Sequence, residues 1–246
     1  MKSNPQELAQ RGLLNQKLCT AYKDYTISQL YEQINSSDPQ VRTTAIHLLG
    51  EKQDPNHPQL VSTIINLLTR ETALYTKIEI SKLLIQGNQQ TCTQLLPYLG
   101  TIGSNQHKKV PLSTSKKKTY PLPRDIVARI LGKTSPNNID ILQKALPSTT
   151  ISQLAELLDA IGFLVFHNPS LATQQTYQQL YNIQQKNSNN DLILWKLIRC
   201  FSAFPLPETK NNLLKLKESI THPTLLQEIN RSLCFIEKND SQQKNQ

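Results

Sequence analysis

Aromatic side chains are scarce in this chain of 246 residues, at 6% of the total with a single tryptophan, Trp195. Long apolar runs are missing too. Leu157–Phe166 is interrupted by Asp159 and stops at His167, well short of the roughly 18 apolar residues of a membrane-spanning helix. The four cysteines, Cys19, Cys92, Cys200 and Cys234, form no C-x-x-C and have no histidine at zinc-ligand spacing. No zinc site is expected from them, and they read as thiols packed as small apolar groups in a reducing compartment. Alternation of apolar and polar residues rarely persists beyond about four residues, which argues against a half-buried sheet. The opening residues Met1 to Leu8 are polar and lack the apolar core of a secretory leader. A soluble, cytoplasmic protein is expected.

Catalytic signatures are equally thin. Gly132-Lys133-Thr134 ends like a P-loop, but Val127 stands where its first glycine belongs, so a helix end followed by a turn is the simpler account. Gly100-Thr-Ile-Gly103 has the spacing of the G-x-x-G clamp of RNA-binding KH domains without the helix and strands that clamp requires. The five histidines form no H-x-x-x-H, no G-x-S-x-G occurs, and His57 and His222 each precede a proline, as turn residues do. Asp159, on an otherwise apolar helix, is the one carboxylate placed to sit in an unusual environment, yet its neighbours at i−3 and i+4, Glu156 and Phe163, make it read as an exposed helix edge. No catalytic residue, cofactor or metal is therefore expected.

What the chain does have is positive charge, concentrated in one place. The formal net charge is +9. Residues 101–135 carry Lys108, Lys109, Lys116, Lys117, Lys118, Arg124, Arg129 and Lys133 against Asp125 alone, a net +7. Such a cluster calls for an anionic partner.

Apolar residues recur at helical spacing almost throughout. Pro39–Glu51 aligns Val41, Ala45, Leu48 and Leu49 on one face, and Pro58–Arg70 does the same with Leu60, Ile64, Leu67 and Leu68. A turn, Lys52 to His57, makes the two an antiparallel hairpin. Further pairs are predicted at Thr76–Ile85 with Thr91–Leu99, Leu122–Gly132 with Ile139–Leu146, Ile151–Phe166 with Pro169–Gln184, and Asp191–Phe204 with Glu208–Ser219. A last helix covers Thr224–Glu237, and less regular ones lie near Gln6–Ala21 and Ile27–Ile34. The stretch from Gly100 to Pro121 has no helical period and is expected to be a mobile basic loop.

Two segments share one spelling. Pro39, Arg42, Leu49 and Gly50 recur as Pro121, Arg124, Leu131 and Gly132 at a constant offset of 82 residues. Lys77 falls where Arg42 stood when Thr76–Ile85 is aligned at an offset of 35. In this reading an arginine in the first helical turn reaches a carboxylate or carbonyl of a neighbouring unit, and Gly50 and Gly132 close their helices with positive φ.

The run Asp38-Pro-Gln-Val-Arg-Thr-Thr-Ala-Ile-His-Leu-Leu-Gly50 resembles the D-P-x-V-R-x-x-A-x-x-x-L-G pattern of HEAT-like repeats of the phycobilisome-lyase type. The resemblance implies an all-α solenoid of about five stacked helical hairpins. N-terminal helices (1–36) would cap the stack, followed by two units (37–99), the basic insertion (100–121), three units with a terminal helix (122–238) and a polar tail (239–246). It further implies a non-catalytic scaffold that binds a protein partner, with Lys108, Lys109, Lys116, Lys117, Lys118, Arg124 and Arg129 meeting an anionic surface and Arg42, Gly50, Lys77 and Gly132 serving repeat packing. The alternative is a nucleic-acid-binding protein. The chain also resembles DNA-alkylation-repair glycosylases in size, basicity and helical layout, but it has one tryptophan and carries Arg199 one turn after it where that family favours Asp. Trp195 then reads as a core residue.

Overall fold

The computed structural model describes residues 4–117 and 119–243. It is all-helical, with fourteen α-helices and no strand among the described residues. The chain divides into two compact units, residues 1–94 and 95–246.

The first unit contains α1 (Pro5–Gln10), α2 (Gln16–Tyr22), α3 (Ile27–Gln33), α4 (Pro39–Lys52), α5 (Pro58–Arg70), α6 (Leu74–Ile85) and most of α7 (Gln89–Leu95). Local chemistry sets these boundaries. Thr26 and Gln29 form a reciprocal capping box on α3, while Asp38 accepts from the Gln40 amide at 2.8 Å ahead of Pro39. The predicted single helix near Gln6–Ala21 is instead two, because the chain turns at Gly12 with φ +79°, a backbone conformation that L side chains resist. α4 packs against α6 and is also touched by α1, α2 and α3. Its buried stripe of Ala45, Ile46, Leu48 and Leu49 faces Ile80, Leu83 and Leu84 of α6 in one apolar core.

Arg42, in the first turn of α4, is held by the turn that follows α5. Its Nε and Nη2 each lie 2.9 Å from the Glu71 carboxylate, and Nη1 donates to the Ser36 and Ser37 carbonyls. Glu71 Oε1 also accepts from the Thr72 and Ala73 amides. Although burial alone would raise the Glu71 pKa, these donors and the guanidinium hold it below the ordinary value. Lys77, at the aligned place in α6, is half-buried and forms no ion pair among the described residues. Gly50 is no cap: α4 runs on to Lys52, and φ at Gly50 is not positive.

The second unit contains α8 (Ile126–Leu131), α9 (Ile139–Ala145), α10 (Ile151–His167), α11 (Gln174–Lys186), α12 (Asp191–Phe201), α13 (Pro207–Ser219) and α14 (Pro223–Gln243). α8, α10, α12 and α14 pack in succession, each against the next, while α9, α11 and α13 lie against α10, α12 and α14 respectively. Alternate helices thus form a row, the neighbour-to-neighbour arrangement expected of repeated hairpins. α10 is buried from Leu154 through Val165 and α12 from Ile193 through Phe201, so both are enclosed on every side.

Here the second copy of the repeated spelling departs from the first. Residues 121–123 are not helical, and Asp125, accepting from the Ala128 amide at 2.8 Å, is the N-cap of α8. Arg124 therefore precedes the helix and is not the counterpart of Arg42. Gly132 ends α8 at φ −69°, without the positive φ that its spelling suggested. At the C-terminal end α14 continues through Gln243, past the predicted start of a tail.

Candidate functional site

Enclosing α10 and α12 on all sides buries four charged side chains. A charge removed from water must find partners, and the row of helices supplies them. Lys196, with no exposed surface, places Nζ 3.2 Å from Glu156 and 2.5 Å from Asp159. Asp159 Oδ1 lies 3.7 Å from Arg199, whose Nε is 4.0 Å from Glu228. Glu228 in turn binds Arg231 at 2.9 Å and accepts from Trp195 Nε1 at 3.1 Å. The result is an alternating ladder across α10, α12 and α14: Glu156, Lys196, Asp159, Arg199, Glu228, Arg231. Asp159 is 2% exposed, so it is not the solvated helix edge that its neighbours suggested.

Residues 100–121, here termed the strap, cover this ladder. Although the described residues among them contain no helix, they are tied to the helices beneath at several places. Arg231 Nη2 donates to the carbonyls of Thr119 at 3.1 Å and Lys117 at 3.4 Å. The His107 ring meets Trp195 edge-on at 4.9 Å between centroids, while the Arg199 guanidinium lies 3.9 Å from the Trp195 centroid. Gln106 donates both to the Ile102 carbonyl and to Asp125 Oδ2, each at 2.8 Å. Asp125 is thus at once the cap of α8 and the clasp of the strap. Tyr120 is buried among Gly162, Phe163 and Phe166.

Protonation follows from this burial. Loss of water raises the Glu156 pKa to about 7 despite the attraction of Lys196. His107 is lowered to about 4, chiefly by burial and then by Lys196 and Arg199. Burial likewise raises the Cys200 thiol and the Tyr120 phenol. At neutral pH the ring and the thiol are uncharged, and the ladder's cations are engaged with its carboxylates. Several buried polar atoms lack a hydrogen-bond partner, among them Glu156 Oε2, Asp159 Oδ1 and Tyr120 Oη. No trio of His, Cys, Asp or Glu gathers with metal-binding geometry among the described residues.

The basic residues singled out from sequence separate into two groups. Lys108, Lys109, Lys116 and Lys117 are exposed on the outer side of the strap. Arg124 is exposed too, with Nη1 3.1 Å from His107 Nε2. Arg129 is half-buried and donates from Nε and Nη2 to the Pro123 carbonyl, at 3.1 and 3.0 Å, which ties it to the turn before α8. Lys118 lies outside the described residues.

The charged ladder was missed in the sequence, though it left a trace. Glu156/Asp159, Lys196/Arg199 and Glu228/Arg231 are all charged pairs at i and i+3, the first two inside apolar helices. That spacing puts both members of a pair on one helical face. Among the cysteines, Cys92 and Cys200 are buried as expected and Cys19 is half-buried, but Cys234 is exposed. His222 serves its turn by accepting from the Thr224 amide.

No protein-family model matches the chain, and none of the curated proteins does. Among solved structures it is similar to two engineered proteins of the Northeast Structural Genomics Consortium. One is 16% identical at a TM-score of 0.41, over 86% of this chain and 96% of the other. The second is 16% identical at a TM-score of 0.38, over 94% of this chain and 63% of the other. No helix among the described residues is long and apolar enough to cross a membrane.

Proposed function

We propose that this protein is a non-catalytic, HEAT-like binding scaffold whose strap meets an anionic partner. The observation that carries this reading is the division of labour among its cations. Lys196, Arg199 and Arg231 are engaged in the buried ladder, whereas Lys108, Lys109, Lys116 and Lys117 project into solvent from a segment that the ladder fixes in place. A cationic surface on a pinned support loses less conformational freedom on binding than the same lysines on a free chain. The burial of Trp195 supports this reading over a base-removing enzyme, since its indole is hydrogen-bonded to Glu228 and covered by His107 and Arg199.

The test measures affinity for poly-L-glutamate and for duplex DNA at low and high salt, in wild type and in a K108A/K109A/K116A/K117A variant. Steeply salt-sensitive binding to either polyanion, lost in the variant at unchanged thermal stability, is the expected result. Equal affinity of variant and wild type removes the strap from the proposal. Release of bases from alkylated DNA overturns the non-catalytic reading.

A further inference from the structure

The middle of the strap carries a feature that cations alone do not explain. Leu112 is 99% exposed. It closes the tripeptide Val110-Pro111-Leu112, bracketed by exposed Lys108 and Lys109 on one side and exposed Lys116 and Lys117 on the other. An apolar tip between two lysine pairs is amphipathic along the chain, and the flanking side chains are long enough to keep their ammonium groups in a polar layer while the tip enters an apolar one.

We infer that the strap docks the protein on an anionic lipid bilayer, with Leu112 entering the acyl boundary and the two lysine pairs resting among the headgroups. This rests on the reading of the strap as an anion-binding element and names its partner.

Three observations favour a bilayer over a folded acidic protein or a nucleic acid. All four bracketing cations are lysines, mobile point charges suited to a diffuse negative potential; arginine would be the choice for paired, planar recognition of a fixed carboxylate or phosphate. The segment between the pairs has neither helix nor strand, so it offers no repeating shape to complement a folded surface, while a fluid surface needs none. No aromatic residue lies between Lys108 and Lys117, which leaves nothing there to stack on bases. The base of the strap is held by Tyr120, Gln106 and Arg231, so insertion of the tip need not unfold the unit beneath it.

The experiment is co-sedimentation of the full chain with vesicles of phosphatidylcholine alone and of phosphatidylcholine mixed with phosphatidylserine. Poly-L-glutamate and duplex DNA are measured in parallel. Binding to the phosphatidylserine vesicles only is expected, weakening about fivefold for each of the four lysines changed to Ala and about tenfold for Leu112→Ala. Because the Leu112 side chain touches almost nothing, that variant is expected to keep its fold. Vesicle binding that ignores Leu112→Ala overturns the insertion. Lysine-dependent binding to polyglutamate or DNA without vesicle binding overturns the bilayer and leaves the anionic-partner reading in place, whereas failure to bind any of these polyanions overturns both.

Discussion

The phenol of Tyr120 occupies the space that a side chain on Gly162 would need. A β-carbon built on Gly162 overlaps the Tyr120 hydroxyl and comes within 3.1 Å of the Cys200 Cα. Gly162 is therefore the notch in α10 through which the strap reaches the core. The phenol itself has no hydrogen-bond partner. Two results follow for chemical denaturation. Gly162→Ala destabilises the second unit by about 2–4 kcal/mol, since the Cys200 backbone cannot retreat as a flexible side chain would. Tyr120→Phe is neutral or stabilising by up to about 1 kcal/mol, because it removes a buried hydroxyl that is left unsatisfied. It also recovers part of the loss in the Gly162→Ala background. A large loss from Tyr120→Phe alone would show that the hydroxyl is bonded in solution.

Lys196 is the pivot of the ladder, in contact with two carboxylates and without exposed surface. Removing it strands Glu156 and leaves Asp159 with Arg199 alone, 3.7 Å away, so Lys196→Met should cost about 3–5 kcal/mol by urea unfolding. Neutralising the stranded acid relieves this. The double variant Lys196→Met, Glu156→Gln is expected to be more stable than the sum of the single changes by about 1 kcal/mol or more. Strict additivity would mean that the two side chains do not meet.

Acid dependence gives a sharper test, because one member of the ladder and one ring packed on it titrate in opposite senses. Glu156, at about 7 in the folded chain against 4.5 ordinarily, holds a proton that the unfolded chain has released between those values. Its contribution to stability therefore rises as pH falls from 7 to 4.5. His107, at about 4 against 6.5, refuses a proton that the unfolded chain takes up, so its contribution falls over that window. The two slopes oppose one another where the windows overlap. Trp195 lies in the same unit and serves as the fluorescent reporter. Relative to wild type, Glu156→Gln should lose about 1–3 kcal/mol of stability on going from pH 7 to pH 5, and His107→Gln should gain. Parallel curves for all three proteins would refute the assignment.

How much of this was legible beforehand depends on the range of the interaction. Helices α4 and α5 were readable because Pro39 and Pro58 open them and their apolar stripes keep helical spacing, all within about a dozen residues. For Arg42 the sequence left a carboxylate or a carbonyl open as partner and did not point to Glu71. The ladder was not. The rungs that cross between helices join residues 29 or more apart (Lys196 to Asp159 at 37, Arg199 to Glu228 at 29), and Asp159 is buried where α12 packs against α10. A charged pair at i and i+3 reads the same whether it faces water or another helix. The strap was visible as a break in periodicity, but its anchors, Gln106 to Asp125 and Arg231 to Thr119, depend on tertiary placement.

The two glycines that share one spelling separate sequence likeness from structural equivalence. As helix-closing residues with positive φ, both would resist replacement, yet neither has that φ. Gly50 sits within α4, and an added β-carbon would meet only the Leu83 Cδ1, at 3.2 Å, the end of a flexible side chain. Glycine inside a helix costs roughly 0.5–1 kcal/mol relative to alanine. Gly50→Ala should therefore raise the stability of the first unit by about 0.5 kcal/mol once Leu83 shifts. Gly132 is hemmed in by backbone: its added β-carbon would lie 3.1 Å from the Ala128 carbonyl oxygen and 3.2 Å from that of Ala160 in α10. Gly132→Ala must then push α8 from α10, at an expected cost of about 1–3 kcal/mol. Thermal or chemical unfolding of the two variants decides the matter, because a true repeat equivalence requires the changes to act in the same direction and the packing described here requires opposite ones.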